Sequence, residues 1–186
     1  RCGNIVKNLL VFARHGGGSF DVVQLKTVVD RCVMLMNHHA QMNSIELSIS
    51  CADDVVMECD SNQIQQALIA LMSNAIEAMT DSSGQGTSNR LGLEVASPAR
   101  SETVTLRVSD TGCGMSDVVK THMFEPFFTT KSEGKGVGLG LAVVYGIVER
   151  HHGTIVVDSS EGNGTTFTLS FPIRQQIFAA QHDVLK

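Results

Sequence analysis

The chain has 186 residues, a formal net charge of −5, a pI of 5.8 and 42% hydrophobic residues. That is one domain's worth of sequence, with apolar content sufficient for a core. The acidic balance argues against the basic stripe of a nucleic-acid binder, and no apolar run reaches the roughly 20 residues of a membrane span.

Residues 1–14 carry Ile5, Leu9 and Phe12 at helical spacing, with Val6 and Leu10 beside them. They read as the end of a helix that begins upstream of Arg1, stopped by Gly16-Gly17-Gly18. Phe20 to Gln24 is a short extended stretch. Residues 25–41 read as a helix with Leu25, Val28, Val29, Cys32, Leu35 and Met36 on one side. Ile45 to Ile49 alternates as a half-buried strand, Asp53-Asp54 turns, and Val55 to Glu58 returns, which predicts a hairpin. Asp60 or Ser61 caps a long helix over 61–79, striped by Ile64, Leu68, Leu71, Met72, Ala75, Ile76 and Met79. Asp81 to Asn89 is a Ser/Gly-rich loop.

Leu91–Val95 and Thr103–Ser109 read as strands around Ser97-Pro98-Ala99-Arg100. The turn Asp110 to Gly114, a short helix over 117–122 and a Phe-rich patch, Phe124 to Phe128, follow. A loop with Gly134, Gly136, Gly138 and Gly140 then opens a helix over 138–151. Thr154–Asp158 and Thr165–Phe171 are strands joined by Glu161-Gly162-Asn163-Gly164. In the tail after Pro172, Gln175 to Leu185 has helical character. This order predicts an α/β two-layer sandwich with a mixed sheet and helices mainly on one face.

The five cysteines are scattered and lack a Cys-x-x-Cys pair, which predicts reduced cytosolic thiols and no zinc site. His38-His39 and His151-His152 are adjacent rather than one helical turn apart, unlike a metal-ligand pair.

Three stretches carry candidate chemistry. Glycines before a helix let backbone N–H groups approach a ligand, and the first N–H groups of a helix lack internal partners. The loop is thus a phosphate site or a glycine-rich linker, with Lys131 and Lys135 as phosphate contacts or surface lysines. Asn74 sits in an apolar helix segment with Ala67, Ala70 and Ala78 on its stripe. Its amide oxygen is either a hard ligand for Mg²⁺ or a core Asn bonded to nearby backbone. Asp110, at a strand end, either accepts from the exocyclic amine of a purine or closes an Asx-turn. Phe124, Phe127 and Phe128 either anchor a hinged lid or plug the core.

Taken together these residues resemble the catalytic ATP-binding domain of sensor histidine kinases, in the GHKL ATPase superfamily. Asn74-Ala-Ile-Glu-Ala78 resembles its N box, Asp110-Thr-Gly-Cys-Gly-Met115 its G1 box, and Phe124-Glu-Pro-Phe-Phe-Thr-Thr-Lys131 its F box. Gly136-Val-Gly-Leu-Gly-Leu141 resembles its G2 box and Gly162-Asn-Gly-Thr-Thr-Phe167 its last glycine motif. The likeness covers about 20–172. The F-box wording and residues 1–14 look most like nitrogen-regulation-type sensor kinases.

The resemblance implies the Bergerat fold, ATP with Mg²⁺, and transfer of the γ-phosphoryl to a histidine. It puts the cofactor against Asn74, Ala78, Asp110, Gly112, Gly114, Met115, Lys131, Lys135, Gly136, Val137, Gly138, Leu139, Gly140, Leu141 and Thr166. Asn74 would hold the metal, Asp110 the adenine amine, Thr166 would lie near the adenine, and Phe124 to Gly136 would form an ATP lid. Residues 1–15 would end the dimerisation and phosphoacceptor hairpin, 16–173 form the kinase domain, and 174–186 a tail. Implied partners are that upstream hairpin, in cis or in a homodimer, and a response-regulator receiver domain. No nucleic acid and no direct membrane contact of these residues are expected, and the expected location is cytoplasmic, with membrane anchoring of the parent protein left open.

Two departures stand out. None of the seven histidines has phosphoacceptor-like neighbours, so the acceptor is expected upstream of Arg1 and no catalytic residue is assigned here. His152, before Gly153, is expected to be structural. One turn before Asn74, where relatives often carry a polar residue, stands Ala70. Hydrolysing relatives of the gyrase type use a Glu there to activate water, and Ala70 cannot act as a base. Alternatives to the kinase are therefore a non-catalytic nucleotide-binding regulatory module or an ATP-hydrolysing clamp.

Overall fold

The computed structural model describes residues 19–80, 89–97, 101–131 and 136–174. The helix end expected at 1–14, most of the loop after residue 80 and the helical tail lie outside them. The elements are β1 (Asp21–Gln24), α1 (Leu25–Met42), β2 (Glu46–Cys51), β3 (Val56–Cys59), α2 (Ser61–Thr80), β4 (Arg90–Ala96) and β5 (Thr103–Asp110). Then come α3 (Asp117–His122), α4 (Gly140–Arg150), β6 (Thr154–Ser159) and β7 (Thr165–Pro172).

Five strands form one sheet in the order β2-β4-β5-β7-β6. β2 and β4 run parallel and the other neighbours antiparallel. Strand period decides which face is core: Val104, Leu106 and Val108 of β5 and Phe167, Leu169 and Phe171 of β7 are buried, whereas Thr103 and Arg107 face solvent. The helices α1, α2 and α4 cover that face with one aliphatic core that includes Val28, Leu68, Met72, Ile76, Val144 and Ile147. The opposite face carries the exposed ion pair Arg107–Glu94 at 3.5 Å, a contact of little energetic weight. This is the two-layer mixed α/β arrangement the chain order predicts.

The expected hairpin of β2 and β3 does not form. β3 does not return against β2. It pairs antiparallel with β1, Val23 opposite Met57, and the ladder continues as the Leu25 N–H donates to the Val55 carbonyl at 3.0 Å. β2 instead takes the edge of the main sheet, Ser48 opposite Gly92. Alternation specifies which side chains share a face and not which strand lies alongside.

The start of α2 is fixed by Asp60, of the two candidate caps. Its Oδ1 accepts from the backbone nitrogens of Asn62 and Gln63 at 3.1 and 3.2 Å, two of the donors a helix leaves unpaired. The Asp60 backbone N–H donates 3.1 Å to Nε2 of His151, a fully buried histidine. Nδ1 of His151 lies 2.8 Å from the Ile147 carbonyl, which can only accept, so the ring is the neutral Nδ1–H tautomer. The structural histidine is thus His151; His152, the residue expected in that role, is exposed in a left-handed turn at φ 52°.

Burial holds the His151 pKa below its usual value, with the charges of Arg150 and His152 adding to that and the Ile147 carbonyl and Asp60 opposing it. A lowered folded pKa means the unfolded chain binds more protons between the two values. The stability this ring contributes is therefore present above about pH 6.5, the unfolded value, and lost as pH falls toward the folded one. Urea unfolding at pH 7.5 and 5.5 is expected to show the chain weaker at the lower pH, and His151→Gln to flatten that difference. An unchanged pH difference in the variant would remove His151 as its source.

Candidate functional site

The end of the sheet and the helices α2 and α4 enclose a cavity of about 390 Å³. Each wall follows from a local feature of the sequence. α2 contributes Asn74, Glu77 and Ala78 from the edge of its apolar stripe. The Asn74 side chain is half-buried, and among the described residues its amide makes no hydrogen bond. This disfavours the alternative of a core Asn satisfied by backbone, since a bonded partner is what such a residue requires.

Asp110 ends β5 on the opposite side. Its Oδ1 accepts from the Gly112 N–H at 2.8 Å, and the Thr165 N–H also bonds the carboxylate. Burial raises its pKa, while those two N–H groups oppose the shift. The Asx-turn is present, and it holds the carboxylate at the cavity wall instead of excluding a ligand role. Gly114 is at φ 66°, and a Cβ there would meet the Ser160 carbonyl oxygen at 2.0 Å, so the turn requires glycine.

The glycine loop supplies Gly136 to Leu141. Gly138, at φ 70°, packs so closely that a Cβ would lie 2.5 Å from the Phe127 backbone, and the Phe127 N–H donates to its carbonyl at 2.8 Å. α4 starts at Gly140 with no side-chain cap and no acidic residue in its first turn. Its opening N–H groups and the positive end of its dipole remain available to an anion. A Cβ on Gly140 would lie 3.9 Å from Nδ2 of Asn74, so the helix start and the unpaired amide share one corner.

Of the residues expected at the cofactor, Asn74, Ala78, Asp110, Gly114, Met115, Lys131, Gly136, Val137, Gly138, Leu139, Gly140 and Leu141 line the cavity. Lys135 lies outside the described residues. Gly112 does not line it: a Cβ there would sit 2.9 Å from Ala78, so its glycine serves close approach to α2. Thr166 is displaced by one residue. It pairs with Ser109 and Asp158 on the far face of the sheet, and Thr165 lines the cavity opposite Asp110.

Several lining residues were not among those candidates, namely Ala75, Glu77, Cys113, Val119, Met123, Phe128, Thr129, Thr130, Thr165 and Phe167. Glu77 had a signal, since it lies one turn after Asn74 on the same helix. Its carboxylate forms an ion pair with Lys131, another residue of the lining. The Phe patch splits its roles: Phe124 stacks on Tyr145 at 5.3 Å, Phe128 lines the cavity and Phe127 is exposed. Ala70 lies outside the cavity, in a shallow groove on α2 with Asn62, Ile69 and Ser73.

Among the described residues no cluster of three or more His, Cys, Asp or Glu side chains could cage a metal, and no helix is long and apolar enough to cross a membrane. The donor at this corner is the hard amide oxygen of Asn74, while the Glu77 carboxylate one turn on is taken by Lys131. That fits Mg²⁺, which takes few protein ligands and completes its shell with water and phosphate oxygens.

Comparison with known proteins agrees with this geometry. Residues 59–175 match the family described as histidine kinase-, DNA gyrase B-, and HSP90-like ATPase. Sporulation kinase E of Bacillus subtilis (strain 168) is 30% identical over 185 residues, 98% of this chain and 24% of the relative. The chain thus spans about a quarter of that protein's length. The nucleotide-free catalytic domain of histidine kinase ThkA superposes with a TM-score of 0.70 at 27% identity, over 83% of this chain and 96% of that one. ThkA solved in complex with the response regulator TrrA gives a TM-score of 0.73 at 25% identity, over 93% of this chain and 47% of that one. With the sequence match, the superposition and the cavity in agreement, the chain belongs to the histidine kinase-, gyrase B- and HSP90-like ATPase family and is homologous to the ATP-binding catalytic domain of sensor histidine kinases.

Proposed function

We propose that the chain is the catalytic part of a two-component sensor kinase, and that it transfers the γ-phosphoryl of ATP to a histidine on a helical hairpin upstream of residue 16. The observation that carries this is the convergence of Asn74, Asp110 and the uncapped start of α4 on one cavity. Asp110 accepts from the adenine amine. Gly114, Met115 and Ala78 flank the base. The N–H groups at Gly138 to Leu141 hold the phosphates, and Lys131 and Lys135 offset their charge. Bound Mg²⁺, held by Asn74, would neutralise charge on the phosphate oxygens. The chain's own part in such a transfer is positioning and charge stabilisation in a cavity that sets the triphosphate in one orientation.

Ala70 favours transfer over hydrolysis, because no general base stands one turn before Asn74. The same residue is compatible with a regulatory module that binds ATP without turnover. The F-box wording and residues 1–14 support the nitrogen-regulation subtype. The ThkA–TrrA complex supports a response-regulator receiver domain as the phosphoryl acceptor downstream. The assembly is a homodimer through the hairpin, in the cytoplasm, with residues 174–186 as a tail.

The test supplies the hairpin, with its histidine, to the chain and γ-labelled ATP. Label on that histidine is the expected result. Free phosphate without labelled protein would indicate the clamp, and tight ATP binding with neither would indicate the regulatory module.

A further inference from the structure

One buried hydroxyl bonds two residues of the cavity lining, Met115 and Thr165. Ser159, at the end of β6, is 6% exposed. Its Oγ lies 2.9 Å from the Met115 nitrogen, 2.9 Å from the Gly164 carbonyl oxygen and 2.9 Å from Oγ1 of Thr165. The Met115 N–H only donates and the Gly164 carbonyl only accepts. Serine has one hydrogen, and the carbonyl takes it. The Thr165 hydroxyl must then donate to Ser159 Oγ, since the reverse would turn the Ser159 and Gly164 lone pairs on each other at hydrogen-bond distance. Ser159 itself is held from the other side, its carbonyl accepting from Nζ of Lys120 at 3.0 Å.

Thr165 lines the cavity, opposite Asp110 in the β5–β7 ladder. With its hydrogen committed to Ser159, its oxygen can only accept. An ionised Asp110 can only accept as well. We propose that Ser159 is a positioning residue for base selection: by fixing the direction of the Thr165 hydroxyl it makes this end of the cavity a wall of acceptors. With both acceptors at the exocyclic position, such a wall takes the two hydrogens of an exocyclic amine and rejects a keto oxygen in that place, whose lone pairs would face lone pairs. The inference rests on the cavity being the nucleotide site.

The experiment titrates the chain with ATP and with inosine triphosphate, which replaces the amine by a keto oxygen. The unaltered chain is expected to prefer ATP. Ser159→Ala frees the Thr165 hydroxyl to rotate and donate, so the preference is expected to narrow by roughly five- to tenfold, the worth of one hydrogen bond. Thr165→Val, which removes the acceptor outright, should narrow it through weaker ATP binding alone, and serves if Ser159→Ala does not fold. An equal loss for both nucleotides, an unchanged ratio in either folded variant, or no preference in the unaltered chain overturns the role of Ser159. No ATP binding by the unaltered chain would overturn the nucleotide site itself, a failure seen before any variant is made.

Discussion

Asp110→Asn is expected to weaken ATP and ADP binding by roughly ten- to hundredfold, the scale of a hydrogen bond to a charged group. The change keeps the shape of the side chain and removes its charge. It also replaces an oxygen that accepts by a nitrogen that donates. The Gly112 N–H donates to Oδ1, so the amide keeps its oxygen there, which puts its NH₂ in the place of Oδ2, toward the base amine. A donor then meets a donor where the unaltered protein has an acceptor.

Burial sets the charge of this carboxylate against the fold. Burial raises its folded pKa, so any stability this group contributes is present below its unfolded value of about 3.9 and lost as pH rises through the folded one. At neutral pH the ionised form is therefore disfavoured by the folded state, which is the pattern of a group retained for a site. Calorimetric titration measures the effect, with thermal unfolding of the variant as the control for folding. Affinity within twofold of the unaltered chain would remove Asp110 from base recognition.

The long helices and the glycine loop were legible because their signals are redundant. The stripe on α2 repeats over five turns, and its cap is a single Asp. The glycines at 136–140 run straight into an apolar helical stretch, which marks a loop opening a helix even where a linker remains the alternative. Asp110 was legible as a carboxylate at a strand end. What was hidden depends on one-residue choices or on distant partners. Thr166 and Thr165 are chemically identical, and a sheet with a period of two puts one in the cavity and the other on its far face. His151 and His152 are likewise identical, and only the buried ring meets the Asp60 N–H, 91 positions earlier in the chain. The pairing of β3 with β1 across α1 is a tertiary choice that alternation does not encode. The ion pair between Glu77 and Lys131 joins residues 54 positions apart, and neither end announces the other.

Asn74→Ala carries the second large effect, and it separates metal from nucleotide. The Asn74 amide makes no hydrogen bond among the described residues, so truncating it leaves no buried partner unpaired and should cost the fold little. The loss should appear only where Mg²⁺ is present. Affinity for Mg²⁺-ATP is expected to fall by about tenfold or more, the scale of one charge-assisted contact, while affinity for ATP in excess chelator stays near that of the unaltered chain. On the proposed role, phosphotransfer to a supplied hairpin should fall further, because the same contact would position the phosphates for attack. Asn74→Asp sharpens the comparison. A carboxylate binds Mg²⁺ as a hard ligand but repels free triphosphate beside it, so it should preserve metal-dependent binding and weaken metal-free binding. If Asn74→Ala lowers both affinities equally, the amide is a structural or direct phosphate contact, and the metal must be held elsewhere in the cavity.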